Sequence, residues 1–277
     1  SAVAAAGLGL AGCSGSKTSE PAGSDAGSAK ASSKKAVELQ VFAANSLEKA
    51  LPEVQELYTE QTGTTFADTQ FKASGDLVEQ MRAGAAVDVL ITASKGTMDD
   101  AEAAELVDTD MREDMFVNDL VIIRAEGSDT KVEAIADVAN LDGKIAIGDA
   151  KTVPAGKYAN QALASVGLYT GTEGDDGEYA PELADKVALA DKVGTAASYV
   201  STGDCVAGFV YSSDIFRYDG IEEAFVCPED SHKPIVYPGA VAESSEHADE
   251  AKAFIDFCLT NKKAQKIWAK YGFELSE

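Results

Sequence analysis

From Glu38 onward, short apolar runs alternate with stretches whose apolar residues recur at helical spacing, and this constrains the fold more than any other feature. ELQVFAA (38–44) reads as a strand. Leu47, Ala50, Leu51, Val54, Leu57 and Tyr58 then share one helical face, with Asn45 or Ser46 as the cap and Pro52 in the first turns. A strand over 65–72, a helix from Asp76 closed by Gly84, a strand at VDVLITA (87–93) and a helix over 96–106 follow. FVNDLVIIRA (116–125) reads as one long strand. KIAIGD (144–149) leads into a helix opening at VPAG (153–156), and KVALA (186–190) into a helix over 194–201. VAGFVY (206–211), EAFVC (223–227) and PIVYPGAV (234–241) are further strands, and helices over 246–259 and 262–270 end the chain. Strand–helix alternation of this kind predicts an α/β fold of parallel sheets with helices on both faces.

The first residues follow other rules. SAVAAAGLGLAG (1–12) is small and apolar and runs directly into Cys13, too short a run to span a bilayer. It resembles the tail of a bacterial lipoprotein signal (1–13), in which the cut precedes the cysteine and its sulfur carries the lipid. Residues 14–37, nearly all Ser, Ala, Gly, Lys and acidic side chains, lack the apolar content of a core and read as a tether. The expectation is an extracytoplasmic protein, held to the cell membrane through lipid on Cys13. Gly7, Gly9 and Gly12 spell GxGxxG, but no strand precedes them and no helix follows, so the dinucleotide reading fails.

Charge and rare residues exclude whole classes of function. With 47 acidic against 23 basic side chains the net charge is −24, which argues against nucleic acid. An anionic ligand would have to be held by local dipoles against the overall field. The four cysteines (Cys13, Cys205, Cys227, Cys258) form no CxxC pair, and His232 and His247 are the only histidines, so neither a zinc site nor a thioredoxin motif is expected. Cys205 and Cys227 flank strands and can be read as a disulfide or as free buried thiols, and Cys258 reads as core. TGTEGDDGEYA (170–180) lacks EF-hand spacing and reads as a solvated loop. No P-loop, GxSxG or HExxH is present, and no enzyme is expected.

What remains is a set of helix starts. Ala44-Asn45-Ser46, Ala73-Ser74-Gly75, Val153-Pro154-Ala155-Gly156 and Asp191-Lys192-Val193-Gly194 each place small or polar residues where a strand gives way to a helix. In open α/β sheets ligands bind beyond the carboxyl ends of the strands, where helix N-termini present free N–H groups and a positive dipole end. Ser46 and Ser74 can add hydroxyls, or can be ordinary N-caps. Ala155 and Gly156 leave the backbone open to approach.

VFAANSL (41–47), FKASGDL (71–77), AAVDVLITAS (85–94), GDAKTVPAGKYA (148–159), GFVYSSD (208–214), CPEDSHKPIVYP (227–238) and KYGFEL (270–275) together resemble the periplasmic molybdate-binding proteins of ABC importers. The resemblance implies a type II periplasmic-binding-protein fold: two lobes, each a mainly parallel sheet flanked by helices, joined by two crossing strands. Lobe 1 is expected over 38–115 and 238–277, lobe 2 over 116–237. Carried over position by position, Ser46, Ser74 and Tyr211 become hydroxyl ligands and Ala155 and Val193 backbone N–H ligands, with Asn45 a weaker candidate where the family commonly has Ala or Ser. Such a set suits molybdate or tungstate, a dianion with acceptor oxygens only, met by neutral donors without Lys or Arg. The resemblance also implies permease and ATPase partners, a monomer and no cofactor. Another oxyanion such as sulfate or thiosulfate, or a sensory ectodomain, is the alternative. Ser46→Ala and Ser74→Ala are expected to weaken binding without changing the melting temperature of the unliganded protein.

Overall fold

The computed structural model describes residues 36–276. The expected lipidation at Cys13 and the expected tether, save its last two residues, lie outside the described residues. Across the first part of the fold run β1 (Glu38–Leu39), β2 (Val41–Ala44), α1 (Ala50–Thr62), β3 (Thr65–Phe66), β4 (Gln70–Lys72), α2 (Ser74–Arg82), β5 (Val89–Ile91), α3 (Lys95–Ala103) and β6 (Val107–Asn118). Next come β7 (Leu120–Ala125), β8 (Ile145–Gly148), α4 (Pro154–Ser165), α5 (Pro181–Ala184), β9 (Val187–Ala190), α6 (Val193–Ser201), β10 (Ala207–Tyr211) and β11 (Ile221–Val226). The chain then returns through β12 (Ile235–Ala242) to α7 (Ala248–Thr260), α8 (Lys262–Lys270) and β13 (Glu274–Leu275).

Two sheets organise these elements, in the orders β13-β6-β12-β5-β2-β4 and β11-β7-β10-β8-β9, while β1 pairs with β3 apart from both. Each sheet is mixed rather than mainly parallel. Within these two sheets only β5-β2-β4 and β10-β8-β9 run parallel, because the strands that carry the chain between the sheets and back pair antiparallel with their neighbours.

The apolar runs sit where their composition requires. β2 and β5 are buried on both faces, and successive side chains divide between two layers. Val41, Ala43, Val89 and Ile91 join the main core with Leu51 and Val54 of α1 and Phe254 and Ile255 of α7. Phe42 and Leu90 form a second cluster with Leu77, Val78 and Met81 of α2 and Met98 and Ala101 of α3. Trp268 of α8, fully buried, packs 4.5 Å from the Phe116 ring and donates its indole N–H to the Cys258 carbonyl at 3.0 Å.

Several boundaries differ from the sequence reading. The strand expected over 116–125 breaks at Asp119, whose N–H is met by the Asn118 side chain at 3.0 Å, and the two pieces belong to different sheets. β6 begins nine residues earlier than the apolar run, at Val107. Its first part is charged and partly exposed, and backbone pairing with β12 requires no apolar side chains there. Residues 116–118 and 235–237 therefore pair inside the six-stranded sheet, and the chain passes between sheets at Asp119 and over 227–234. The strand read over 65–72 is two strands, one on β1 and one on β2. Cys205, Cys227 and Cys258 are free buried thiols. In the acidic loop the Asp176 carboxylate accepts the N–H groups of Thr172, Glu173 and Gly174 at 3.0–3.3 Å, so it organises its own turn.

Candidate functional site

The four helix starts end up at the interface between the sheets, and their local geometry is unlike ordinary capping. Asn45, Ser46 and Leu47 form a 3-10 turn after β2, and α1 starts only at Ala50. Neither Ser46 nor Ser74 caps a helix. The N-cap positions are Ala44 and Ala73, neither with a side-chain cap hydrogen bond, so each serine lies inside its turn. Their hydroxyls have other partners. Ser46 Oγ lies 2.8 Å from the Tyr237 hydroxyl, and Ser74 Oγ accepts the Ala93 N–H at 3.0 Å.

Ala155 is the second residue of α4 and Val193 the first of α6. The opening N–H groups of a helix have no acceptor inside it, so both positions can offer a backbone donor. Gly156 has a different task from the one its size suggested. A Cβ there would collide with the Gly148 carbonyl oxygen, and one at Gly148 would come within 2.6 Å of Val153 Cγ1. These glycines let α4 close tightly on β8 and set the height of the Ala155 N–H.

Contacts between elements bring the candidates together. The Gly75 N–H, next to Ser74, donates to the Thr152 carbonyl ahead of α4 at 3.3 Å. Gly194, next to Val193, abuts Asn45, with its Cβ position 3.1 Å from Asn45 Oδ1. Tyr211 ends β10, its ring 5.7 Å from that of Tyr237 and 6.4 Å from that of Tyr158 in α4. Asn45, Ser46, Ser74, Ala155, Val193 and Tyr211 are all buried. The Tyr211 hydroxyl, on a side chain 1% exposed, has no hydrogen-bond partner among the described residues. Burial, with Tyr237 and Tyr158 alongside, holds this phenol well above the ordinary tyrosine range, so it stays a proton donor.

The sequence model for bacterial extracellular solute-binding proteins matches residues 39–274. The chain belongs to that family. Over 242 residues it is 33% identical to the molybdate-binding protein ModA of Escherichia coli (strain K12), covering 86% of this chain and 89% of that one. Over 256 residues it is 29% identical to the putative ABC transporter substrate-binding lipoprotein YvgL of Bacillus subtilis (strain 168), covering 91% and 92%. Among solved structures it matches the substrate binding domain of a putative molybdenum ABC transporter from Clostridium difficile, with a TM-score of 0.65 and 33% identity over 87% of this chain and all of that one. The protein is thus a solute-binding receptor of the periplasmic-binding-protein fold, not an enzyme.

Two residues in contact with these candidates were not singled out from sequence. Tyr237, fully buried in β12, partners Ser46, and burial pushes its hydroxyl above the ordinary range. Arg217 follows the 3-10 turn Ser212–Phe216, with its side chain 2% exposed. It donates to the Asn45 backbone carbonyl, lies 3.2 Å from Asp214 and 3.6 Å from Glu48, and stacks 4.2 Å from the centre of the Tyr218 ring. A cation therefore stands beside the Ser46 turn, outside the expected donor set, and two carboxylates face it. Asn45 turns its carboxamide into this cluster, its Nδ2 donating to Glu48 at 2.9 Å and its Oδ1 3.4 Å from both Arg217 and Tyr218. Among the described residues, no three His, Cys, Asp or Glu side chains gather to hold a cation, and no helix is long and apolar enough to cross a membrane.

Proposed function

We propose that the protein captures molybdate, with tungstate as its near-equal in size, between two lobes built on the two sheets. The lobes would be 38–118 with 235–275, and 120–226, hinged at Asp119 and over 227–234. Ser46, Ser74 and Tyr211 would supply hydroxyl donors and Ala155 and Val193 backbone N–H donors. The observation that carries this reading is the buried Tyr211 hydroxyl without a partner. An unmet buried donor costs about 1–3 kcal/mol, and an anion in the cleft would remove that cost. Tetrahedral oxyanions that carry no proton need donors alone, and every group assigned here is a donor. The names of the relatives support molybdate in particular: the Escherichia coli protein is called molybdate-binding, and the Clostridium difficile domain belongs to a putative molybdenum transporter.

In this reading the receptor delivers its ligand to the permease and ATPase of an importer, acts as a monomer, and is tethered outside the cell membrane by lipid on Cys13. The Bacillus subtilis relative, described as a lipoprotein, supports the tether. Calorimetric titration with molybdate, tungstate, sulfate and phosphate tests the ligand. Tight binding of the first two alone is expected, and preferential binding of sulfate or phosphate would overturn it. Radiolabelled palmitate appearing in the wild type and absent from Cys13→Ala tests the anchor.

A further inference from the structure

Asn45, the weaker ligand candidate, forms with Glu48, Arg217 and Tyr218 a polar cluster outside the donor set proposed above. Asn45 and Glu48 follow β2 of the six-stranded sheet, and Arg217 and Tyr218 follow β10 of the five-stranded sheet. The cluster therefore spans the two halves of the cleft at its Val193 side. The guanidinium meets the Asn45 carbonyl, the Asn45 side chain at 3.4 Å and Glu48 at 3.6 Å, while the Tyr218 hydroxyl is 3.4 Å from both Asn45 Oδ1 and Glu48 Oε1. Asp214, fully buried, anchors Arg217 from its own side at 3.2 Å and also accepts the Tyr211 N–H at 2.9 Å. The same carboxylate thus ties the cluster to the strand end that carries the candidate ligand Tyr211. Gly194 makes room for it, because any Cβ at that position would overlap the Tyr218 hydroxyl.

We propose that Arg217 and Tyr218 are positioning residues that latch the two halves of the cleft closed over the ligand. They do so by gripping the one peptide unit that presents Ser46. The Asn45 carbonyl and the Ser46 N–H belong to the same planar trans peptide and point in opposite directions. A guanidinium on the carbonyl therefore sets the direction of the Ser46 N–H and polarises it as a donor. The positive charge acts on the anion through this peptide without touching it. Because the grip joins residues of different sheets, it exists only when the cleft is closed, so its loss acts on the rate at which ligand leaves.

The inference rests on the anion-capture reading, and two measurements separate their failures. In the first, molybdate release from Arg217→Lys and Tyr218→Phe is followed by stopped flow. Arg217→Lys keeps the charge but loses the fork that reaches Asn45, and Tyr218→Phe guards against a folding defect in the buried arginine variant. Each is expected to release ligand about tenfold faster, with association within about twofold of wild type and with the unliganded melting temperature of Tyr218→Phe unchanged. Release at the wild-type rate from both folded variants would overturn the latch. In the second, small-angle scattering compares the ligand-free proteins, where both variants are expected to be more open than wild type. If the wild type binds no molybdate, the ligand reading fails and scattering alone judges the latch: equal radii of gyration would overturn it.

Discussion

The Ser46 hydroxyl lies 2.8 Å from the hydroxyl of Tyr237, a residue 191 positions later in β12 of the six-stranded sheet. One proton of the pair is free to point elsewhere. Burial holds the Tyr237 phenol protonated, so Tyr237 can donate to Ser46 while Ser46 donates to a ligand. With the proton placed that way, the tyrosine would leave the serine proton for the ligand. Tyr237→Phe is expected to weaken molybdate binding by roughly 2–10-fold, the equivalent of one hydrogen bond. Calorimetry on the variant checks this, and unchanged affinity would mean that Ser46 does not act as a directed donor.

Ser74 has a structural partner as well as a proposed ligand. Its oxygen accepts the Ala93 N–H at 3.0 Å, in a buried setting where Ala would leave that N–H unmet. Ser74→Ala is accordingly expected to lower unliganded stability by about 1–3 kcal/mol, against the sequence-based expectation of no change. A melting temperature lower by roughly 2–10 °C in the absence of ligand would show it. Affinity should fall in the same variant, since the hydroxyl proton is the remaining donor.

Gly156 and Gly96 make a contrasting pair. A Cβ at Gly156 collides with the Gly148 backbone, whereas one at Gly96, in the first turn of α3, meets nothing within 4 Å. Gly156→Ala should destabilise by about 1–3 kcal/mol or more and weaken binding by displacing the start of α4. Gly96→Ala should be neutral or up to about 1 kcal/mol stabilising. Denaturant titration of both variants makes the comparison, and equal behaviour would contradict the packing described for α4.

Stability should fall on the alkaline side. Burial raises Tyr158, Tyr211 and Tyr237 above the ordinary tyrosine value and Tyr179 to about 12, and raises Cys258 and takes Cys227 to about 12. A group whose folded value is raised contributes fully below its unfolded value and loses that contribution as pH rises toward the folded one. The loss should begin near pH 9 for the thiols and near pH 10 for the phenols, and should be absent at neutral pH. Denaturant midpoints at about pH 8 and about pH 11 measure it. Ligand affinity should be flat from about pH 6 to about pH 9 as far as Tyr211 is concerned, because its hydroxyl remains a donor throughout.

Much of this protein was legible as sequence because the signals are local. The buried strands β2 and β5 read as apolar runs, and α7 and α8 as helical periodicity. β6 did not read as a strand over 107–115, where Asp108, Asp110, Arg112, Glu113 and Asp114 hide a segment defined by backbone pairing with β12. Ser46 and Ser74 looked like caps, since composition places serine at helix starts without saying which atom the hydroxyl meets.

By itself, then, the sequence determined the alternating α/β chain and the small-residue helix starts, both set by neighbouring residues. Only the tertiary structure decided that Ser46 meets Tyr237, that Gly156 serves Gly148, and that Arg217 reaches Asn45 across 172 positions of sequence. Those pairings depend on how two sheets face each other. No periodicity or composition encodes that, because it emerges from the packing of every strand and helix between the paired residues.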